Sequence, residues 1–337
     1  MKAIGYYHPL PIDDAQALVD LDLPTPELRP RDLLVRIQAI SVNPADVKLR
    51  ANARPPADTP RILGYDAVGI VEAAGPEARL FKPGDAVFYA GTIDRPGTNA
   101  ELHAVDERIV GPKPQCLTPA QAAALPLTSL TAWELLFDRL RVPYGQKLSG
   151  DAILIVNGAG GVGSILTQIA RRLTGLTVIA TASRPETVAW CRDMGAHHVI
   201  DHRQPLDEGL KAIGIPQVRY VAGLTATDLH QKAIIEALAP QGALAMIDDP
   251  KIFDIAPFKR KSLSVHWELM FTRPLYGTAD MAEQHRILGE IAALVDSGVL
   301  RTTLREDYGP ITAANLRRAH AAVESGRSIG KTVLSNV

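Results

Sequence analysis

The sequence predicts an α/β protein of two domains, a partly open β-barrel joined to a doubly wound parallel sheet. Three observations carry this prediction. The chain is 337 residues long, more than one hydrophobic core ordinarily organises. Its first third holds short apolar runs cut by Pro, Gly and Asp, whereas from Asp151 continuous apolar runs alternate with helical stretches. Hydrophobic residues make up 46% of the chain and charged residues 22%, enough apolar material for two cores without the signature of disorder.

The first-third runs Leu33–Ile37, Ala67–Val71 and Ala86–Tyr89 read as closely spaced strands. Lys82-Pro83-Gly84-Asp85 is a turn, since Pro presets φ and Gly permits φ > 0. Thr118-Pro119-Ala120-Gln121 opens a helical region that runs to about Leu140, with Thr as N-cap, Pro at the first position and Gln closing a capping box. Ala152–Val156 is uniformly apolar, as a strand covered on both faces must be. Helix Gly161–Leu173, strand Thr177–Thr181, a helix from Pro185 and strand His198–Asp201 follow. Then come a short helix, strand Val218–Ala222, helix Asp228–Leu238 and strand Ala243–Ile247. Such alternation builds a doubly wound sheet. Ser262–Trp267 is its candidate last strand, and the tail holds helices Ala282–Asp296 and Thr312–Glu324 and strand Lys331–Leu334.

Charge and cysteine content exclude several functions. Lys and Arg number 36 against 37 Asp and Glu, a formal charge of -1, so no global field holds a polyanion and nucleic acid is a poor partner. Cys116 and Cys191 are the only cysteines, too few for a disulfide framework or a four-cysteine structural zinc site. The uncharged stretches Pro114–Trp133 and Ala152–Ala170 have the length of a membrane span, but prolines interrupt the first, and Asn157 and glycines the second. The expectation is a cytoplasmic protein without signal peptide or membrane segment.

Asn157-Gly158-Ala159-Gly160-Gly161-Val162-Gly163 contains G-x-G-x-x-G between a buried strand and a helix. Gly158 is expected to make the tight turn, Gly160 to let backbone approach a pyrophosphate, and Gly163 to let helix pack on strand, with Gly161 and Val162 at the helix mouth facing the phosphates. In that context the motif points to dinucleotide binding. A carboxylate that binds the 2′-hydroxyl of NAD is expected at the end of the second strand. Here stands Thr181-Ala182-Ser183-Arg184-Pro185: Ser183 and Arg184 are suited to a 2′-phosphate, which favours NADP(H).

With the glycine loop, three further segments carry a resemblance: Ser41-Val42-Asn43-Pro44-Ala45-Asp46, Gly64-Tyr65-Asp66-Ala67-Val68-Gly69 and Ala123-Ala124-Leu125-Pro126-Leu127-Thr128-Ser129-Leu130-Thr131-Ala132. Over essentially its whole length the chain resembles the medium-chain dehydrogenase/reductase superfamily, in particular the zinc-free quinone oxidoreductase branch and its zinc-type alcohol dehydrogenase-like subgroup. The resemblance implies a GroES-like catalytic domain over residues 1–125, completed by 268–337, and a Rossmann domain over 126–267. It also implies a substrate cleft between them and a homodimer joined through edge strands.

Zinc-dependent relatives carry Cys where Asn43 stands and Gly-His-Glu where Gly64-Tyr65-Asp66 stands. Asn and Tyr are poor zinc ligands, so no metal is expected. Without a Lewis acid to stabilise an alkoxide, the sensible acceptor is an electron-poor quinone or α,β-unsaturated carbonyl. Such an acceptor takes hydride directly once its oxygen receives a hydrogen bond.

By resemblance Asn43 belongs near the nicotinamide ribose, Thr131 beside the carboxamide, His202 near the 2′-phosphate end and Lys331 on a segment approaching the cofactor. Tyr65 is either a donor to the developing oxyanion or cleft-wall packing. Asp46 and Lys48 either reach the cleft or form a surface ion pair, and Tyr89 either lines the pocket or is core. The leading expectation is an NADPH-dependent, metal-independent reductase. The alternatives are a non-catalytic NADPH-binding sensor or crystallin-like protein, an alcohol dehydrogenase and a lyase.

Overall fold

The computed structural model describes residues 1–146 and 150–336. It divides into two compact units, one of Met1–Leu130 with Phe271–Val337, the other of Thr131–Met270. The expected boundaries fall a few residues away. Pro126 opens the helix Pro126–Trp133, and the division lies inside that helix.

In the first unit the sheet order is Leu304–Asp307, Lys331–Ser335, Asp32–Val42, Ala67–Ala74, Ala86–Tyr89 and Val110–Pro112. The strand Asp32–Val42 organises it. One edge takes Leu102–Asp106 along Asp32–Arg36 and then Lys331–Ser335 along Ala39–Val42. Register shifts after Leu34 and Ile37 bend the strand, as bulges do where a sheet curls towards a barrel. A second sheet sets Lys2–Tyr6 between Val19–Asp22 and Arg61–Ile62. The turn at 82–85 forms as expected: Asp85 N–H donates to Lys82 O at 3.1 Å and Gly84 has φ 97°. Thr118 and Gln121 exchange their capping-box bonds at 3.1 and 3.2 Å. Beyond Trp133 the helix widens into a π-helical stretch, Glu134–Arg139.

Among the described residues the second unit holds six parallel strands in the order His198–Ile200, Thr177–Thr181, Ala152–Val156, Val218–Gly223, Leu238–Met246, Ser264–Trp267. This is the doubly wound order that reverses beside its first strand, and ligands bind at such a reversal. Ala152–Val156 is buried throughout. Among the described residues no helix is long and apolar enough to cross a membrane.

Candidate active site

The glycine loop leaves Ala152–Val156 at the reversal point and enters helix Gly161–Leu173. Its tight turn is made by Asn157, at φ 67°, rather than by Gly158 as expected; Asn tolerates the left-handed region better than most residues. Gly158 is needed for packing instead. A Cβ there would lie 2.6 Å from Ala180 Cβ and 3.2 Å from Cys191 Sγ. Its N–H donates to Thr181 O at 3.1 Å, and Asn157 N–H donates to Thr181 Oγ1 at 2.9 Å. Gly163 is enforced by the backbone itself, since a Cβ would sit 2.4 Å from Asn157 O.

Gly160 differs from both. There the atoms nearest a Cβ would be in the Asn157 side chain, Nδ2 at 3.0 Å, with backbone no nearer than 3.7 Å, so packing alone does not demand glycine. The residues fit a dinucleotide: a close-approach glycine caps a helix whose first-turn N–H groups have no carbonyl of the helix to meet. Gly161 and Val162 begin that turn.

At the end of the second strand Ser183 and Arg184 are half-buried. Arg184 is the N-cap of helix Pro185–Asp193, where Thr187 Oγ1 accepts from its N–H at 3.1 Å and donates to its carbonyl at 2.8 Å. The Arg184 guanidinium lies 3.2 Å from Glu186. His202 is half-buried with its ring 6.3 Å from that of His230, and burial pulls its pKa down. Thr131 is buried in the helix Pro126–Trp133.

In the first unit, Asn43, Asp46 and Lys331 are brought into one buried network with Asp66 and Ser41. Asp66 Oδ2 accepts from Ser41 Oγ at 2.7 Å, Asn43 Nδ2 at 2.8 Å and Lys331 Nζ at 3.0 Å. Its other oxygen accepts from Leu127 N–H at 2.7 Å, in the first turn of Pro126–Trp133, where an anion is favoured. Lys331 also donates to Val42 O at 3.1 Å and to Asn43 Oδ1, so the three ammonium hydrogens are all used. Asp46 accepts from Asn43 N–H at 2.8 Å and Gly64 N–H at 2.9 Å. Burial pushes Asp46 up to about 7, against the pull of those two amides and of Lys331.

This geometry corrects several expectations. Asp46 turns inward while Lys48 is exposed on the same helix, because residues two apart on a helix face different ways. The two side chains therefore do not converge on one place. Lys331 is 3% exposed and its three hydrogens are taken up in the network, while the Asn43 amide oxygen accepts from Lys331 with one lone pair and keeps the other. Tyr89 is wholly buried and bonded to His103 Nδ1 at 3.1 Å, which makes it core.

Tyr65 is the exception. Its ring meets Phe271 edge-on, centroids 5.3 Å apart, while among the described residues the hydrogen of its buried hydroxyl meets no acceptor; the Arg61 side chain beside it can only donate. Burial raises its pKa and Asp46 adds to the rise, with Arg61 opposing, so the phenol stays protonated and able to donate.

Asp66 and Ser41 are members of this network that sequence reasoning passed over. The available signal was that Asp66 replaces the relatives' Glu while a lysine stands on the C-terminal strand. A zinc ion does not fit here. The Asn43 and Asp66 oxygens already surround an ammonium, and Tyr65 stands in the third position. Among the described residues no three His, Cys, Asp or Glu side chains gather in a way that could hold a metal.

The comparisons agree with the architecture. The family model for the alcohol dehydrogenase GroES-like domain matches residues 29–116, and that for zinc-binding dehydrogenases matches 194–334. A zinc-type alcohol dehydrogenase-like protein of Staphylococcus aureus is 41% identical over 99% of this chain and 100% of its own length. Quinone oxidoreductase of Pseudomonas aeruginosa is 32% identical over 90% of this chain and 91% of its own. A solved structure from Rhizobium etli CFN 42, named for the zinc-dependent alcohol dehydrogenases, superposes with a TM-score of 0.95. It is 55% identical and covers 100% of this chain and 98% of that one. By fold, glycine loop and full-length similarity, the chain belongs to the medium-chain dehydrogenase/reductase superfamily and is an oxidoreductase that binds a nicotinamide cofactor.

Proposed function

We propose that the protein reduces quinones or α,β-unsaturated carbonyls with NADPH, by direct hydride transfer and without a metal. The observation that carries this reading is the Tyr65 hydroxyl, a buried and protonated donor whose hydrogen meets no acceptor, beside a network whose polar groups are satisfied. A buried donor left unpaired costs about 1–3 kcal/mol, a cost recovered when it meets an acceptor oxygen. In this reading Tyr65 donates to the oxygen that gains negative charge, as an oxyanion-hole donor does.

When bound, the dinucleotide supplies the hydride. The rest is the work of this chain. Lys331 and Asp66 neutralise each other and fix Asn43 and the 64–66 segment that carries Tyr65. The cationic place of a Lewis acid is thus taken by a lysine whose three donors are committed, which is why the acceptor must already be electron-poor. Similarity to the Pseudomonas quinone oxidoreductase supports the acceptor class. Ser183 and Arg184 support NADP(H) over NAD(H). The reading extends to a cytoplasmic homodimer joined by the edge strand Ser264–Trp267, whose Trp267 is 54% exposed.

The test is the absorbance loss of NADPH, with NADH in parallel, against benzoquinone, naphthoquinone, an enone and a simple aldehyde. Quinone- or enone-dependent oxidation that prefers NADPH is expected. Turnover of the aldehyde alone would return the protein to alcohol dehydrogenase chemistry, and binding without any turnover would make it a dinucleotide sensor.

A further inference from the structure

Helix Pro185–Asp193 does more than present Arg184. Trp190, in its second half, donates its indole N–H to Ser164 Oγ at 2.8 Å. Ser164 is fully buried in helix Gly161–Leu173, and its hydroxyl lies 2.7 Å from Gly160 O, with Ala159 O farther away at 3.4 Å. An indole N–H only donates and a hydroxyl has a single hydrogen. The direction of the chain is therefore fixed: Trp190 gives to Ser164, and Ser164 gives to the Gly160 carbonyl. That carbonyl also accepts the Ser164 backbone N–H at 2.9 Å.

Gly160 and Gly161 are adjacent glycines, so the peptide between them meets little steric resistance to turning over. Its planarity ties the two ends together, because in a trans peptide the N–H of Gly161 points opposite to the C=O of Gly160. With the carbonyl held towards the helix by two donors, the Gly161 N–H is held away from it, at the helix mouth where an anion is received. The neighbour of Trp190 lies close to the same loop: a Cβ at Gly158 would come within 3.2 Å of Cys191 Sγ, after Ala180 Cβ at 2.6 Å.

We propose that Trp190, acting through Ser164, is a positioning residue for the dinucleotide: it latches the Gly160–Gly161 peptide so that the Gly161 N–H is set in advance to donate to the pyrophosphate. The latch rests on dinucleotide binding by this loop and is indifferent to which of the two nicotinamide dinucleotides is preferred.

The experiment is titration of NADPH and NADH, by quenching of protein fluorescence or by calorimetry, into the wild-type chain, Trp190→Phe, Ser164→Ala and the double variant. Each single variant is expected to weaken both dinucleotides by about fivefold, the value of one ordinary hydrogen bond. The NADPH-to-NADH ratio should stay unchanged, because both ligands carry the same pyrophosphate. The double variant should be no weaker than either single one, since a relay is broken once.

A changed ratio would mean that the helix carrying Arg184 has moved as a whole, and would overturn the latch in favour of bulk packing. Additive losses, or none, would overturn it too. If Trp190→Phe lowers the thermal midpoint, Ser164→Ala decides the matter, since it leaves the indole in place. Wild-type protein that binds neither dinucleotide would remove the dinucleotide reading and the latch with it. Normal wild-type binding with unaffected variants would remove the latch alone.

Discussion

Lys331 Nζ lies 3.0 Å from Asp66 Oδ2, with the two side chains 3% and 0% exposed. They are 265 positions apart in the chain, so the pair ties the returning C-terminal strand to the loop carrying Tyr65. Removing one partner of a buried ion pair strands the other, at about 3–5 kcal/mol. Lys331→Met should cost that much in urea unfolding. Lys331→Met combined with Asp66→Asn should cost clearly less than the sum of the single changes, since no uncompensated charge remains. Additive losses would show that the two groups do not act as a pair.

The parts of the fold legible in the sequence were those written in local pattern. Helix Gly161–Leu173 and strands Ala152–Val156 and Thr177–Thr181 stand where periodicity and the glycines placed them. The capping box at Thr118 formed because it needs only four neighbouring residues. The site was less legible because its bonds are long-range. Nothing local to Lys331 tells that it meets Asn43 and Asp66, and nothing local to Trp190 tells that it meets Ser164. Even within the glycine loop, assigning the turn to Gly158 overlooked that Asn157 can take a positive φ, leaving Gly158 to answer to Ala180 and Cys191 across the sheet.

Tyr65→Phe separates the donor role from packing. The ring against Phe271 is retained and only the hydroxyl, whose hydrogen meets no acceptor, is lost. Stability should hold or rise by up to ~1 kcal/mol, as expected when an unsatisfied buried polar group is deleted. The kcat for quinone or enone reduction should fall about a hundredfold, the scale of one lost oxyanion donor. Steady-state kinetics with denaturant unfolding checks both. An unchanged kcat would assign Tyr65 to packing.

Arg184→Ala should weaken NADPH about 10–100-fold, the range of a charge-assisted hydrogen bond, and NADH by less than about twofold. Glu186 competes for the same guanidinium, at 3.2 Å. Glu186→Gln should therefore tighten NADPH by up to about fivefold, the upper end for a partly exposed ion pair. Equal losses for both dinucleotides in Arg184→Ala would place the 2′-phosphate contact elsewhere.

Elemental analysis of protein purified without chelator, and after incubation with zinc and desalting, should find far less than one zinc per chain. The Asn43 and Asp66 oxygens are committed to Lys331, and a divalent ion there would face an ammonium in low dielectric. Lys331→Met lifts that repulsion, so any zinc uptake by the variant and not by the wild type would locate the barrier at this lysine. Stoichiometric zinc in the wild type would contradict the metal-free chemistry.

Acid should destabilise the protein through two buried histidines. His103 donates from Nε2 to Pro96 O at 2.9 Å and accepts from Tyr89, and burial holds its pKa down at about 4. Among the described residues His320 has no partner at either ring nitrogen, and it is held at about 3 by burial and by Arg50. Unfolded, both take up protons near 6.5. Between pH 6.5 and 4 the unfolded chain thus binds protons that the folded chain refuses, and stability falls as pH falls, by about 1.4 kcal/mol per pH unit for each such proton. Asp46 works the other way: raised from 3.8 to about 7, it is protonated first in the folded state and opposes one of the two histidines across that window. His320→Leu removes an unsatisfied buried ring at little or no cost in stability at pH 7. It should flatten the stability profile between pH 6 and 4, measured by urea unfolding at closely spaced pH values. A slope equal to that of the wild type would mean that His320 gains its proton in the folded state as readily as in the unfolded one.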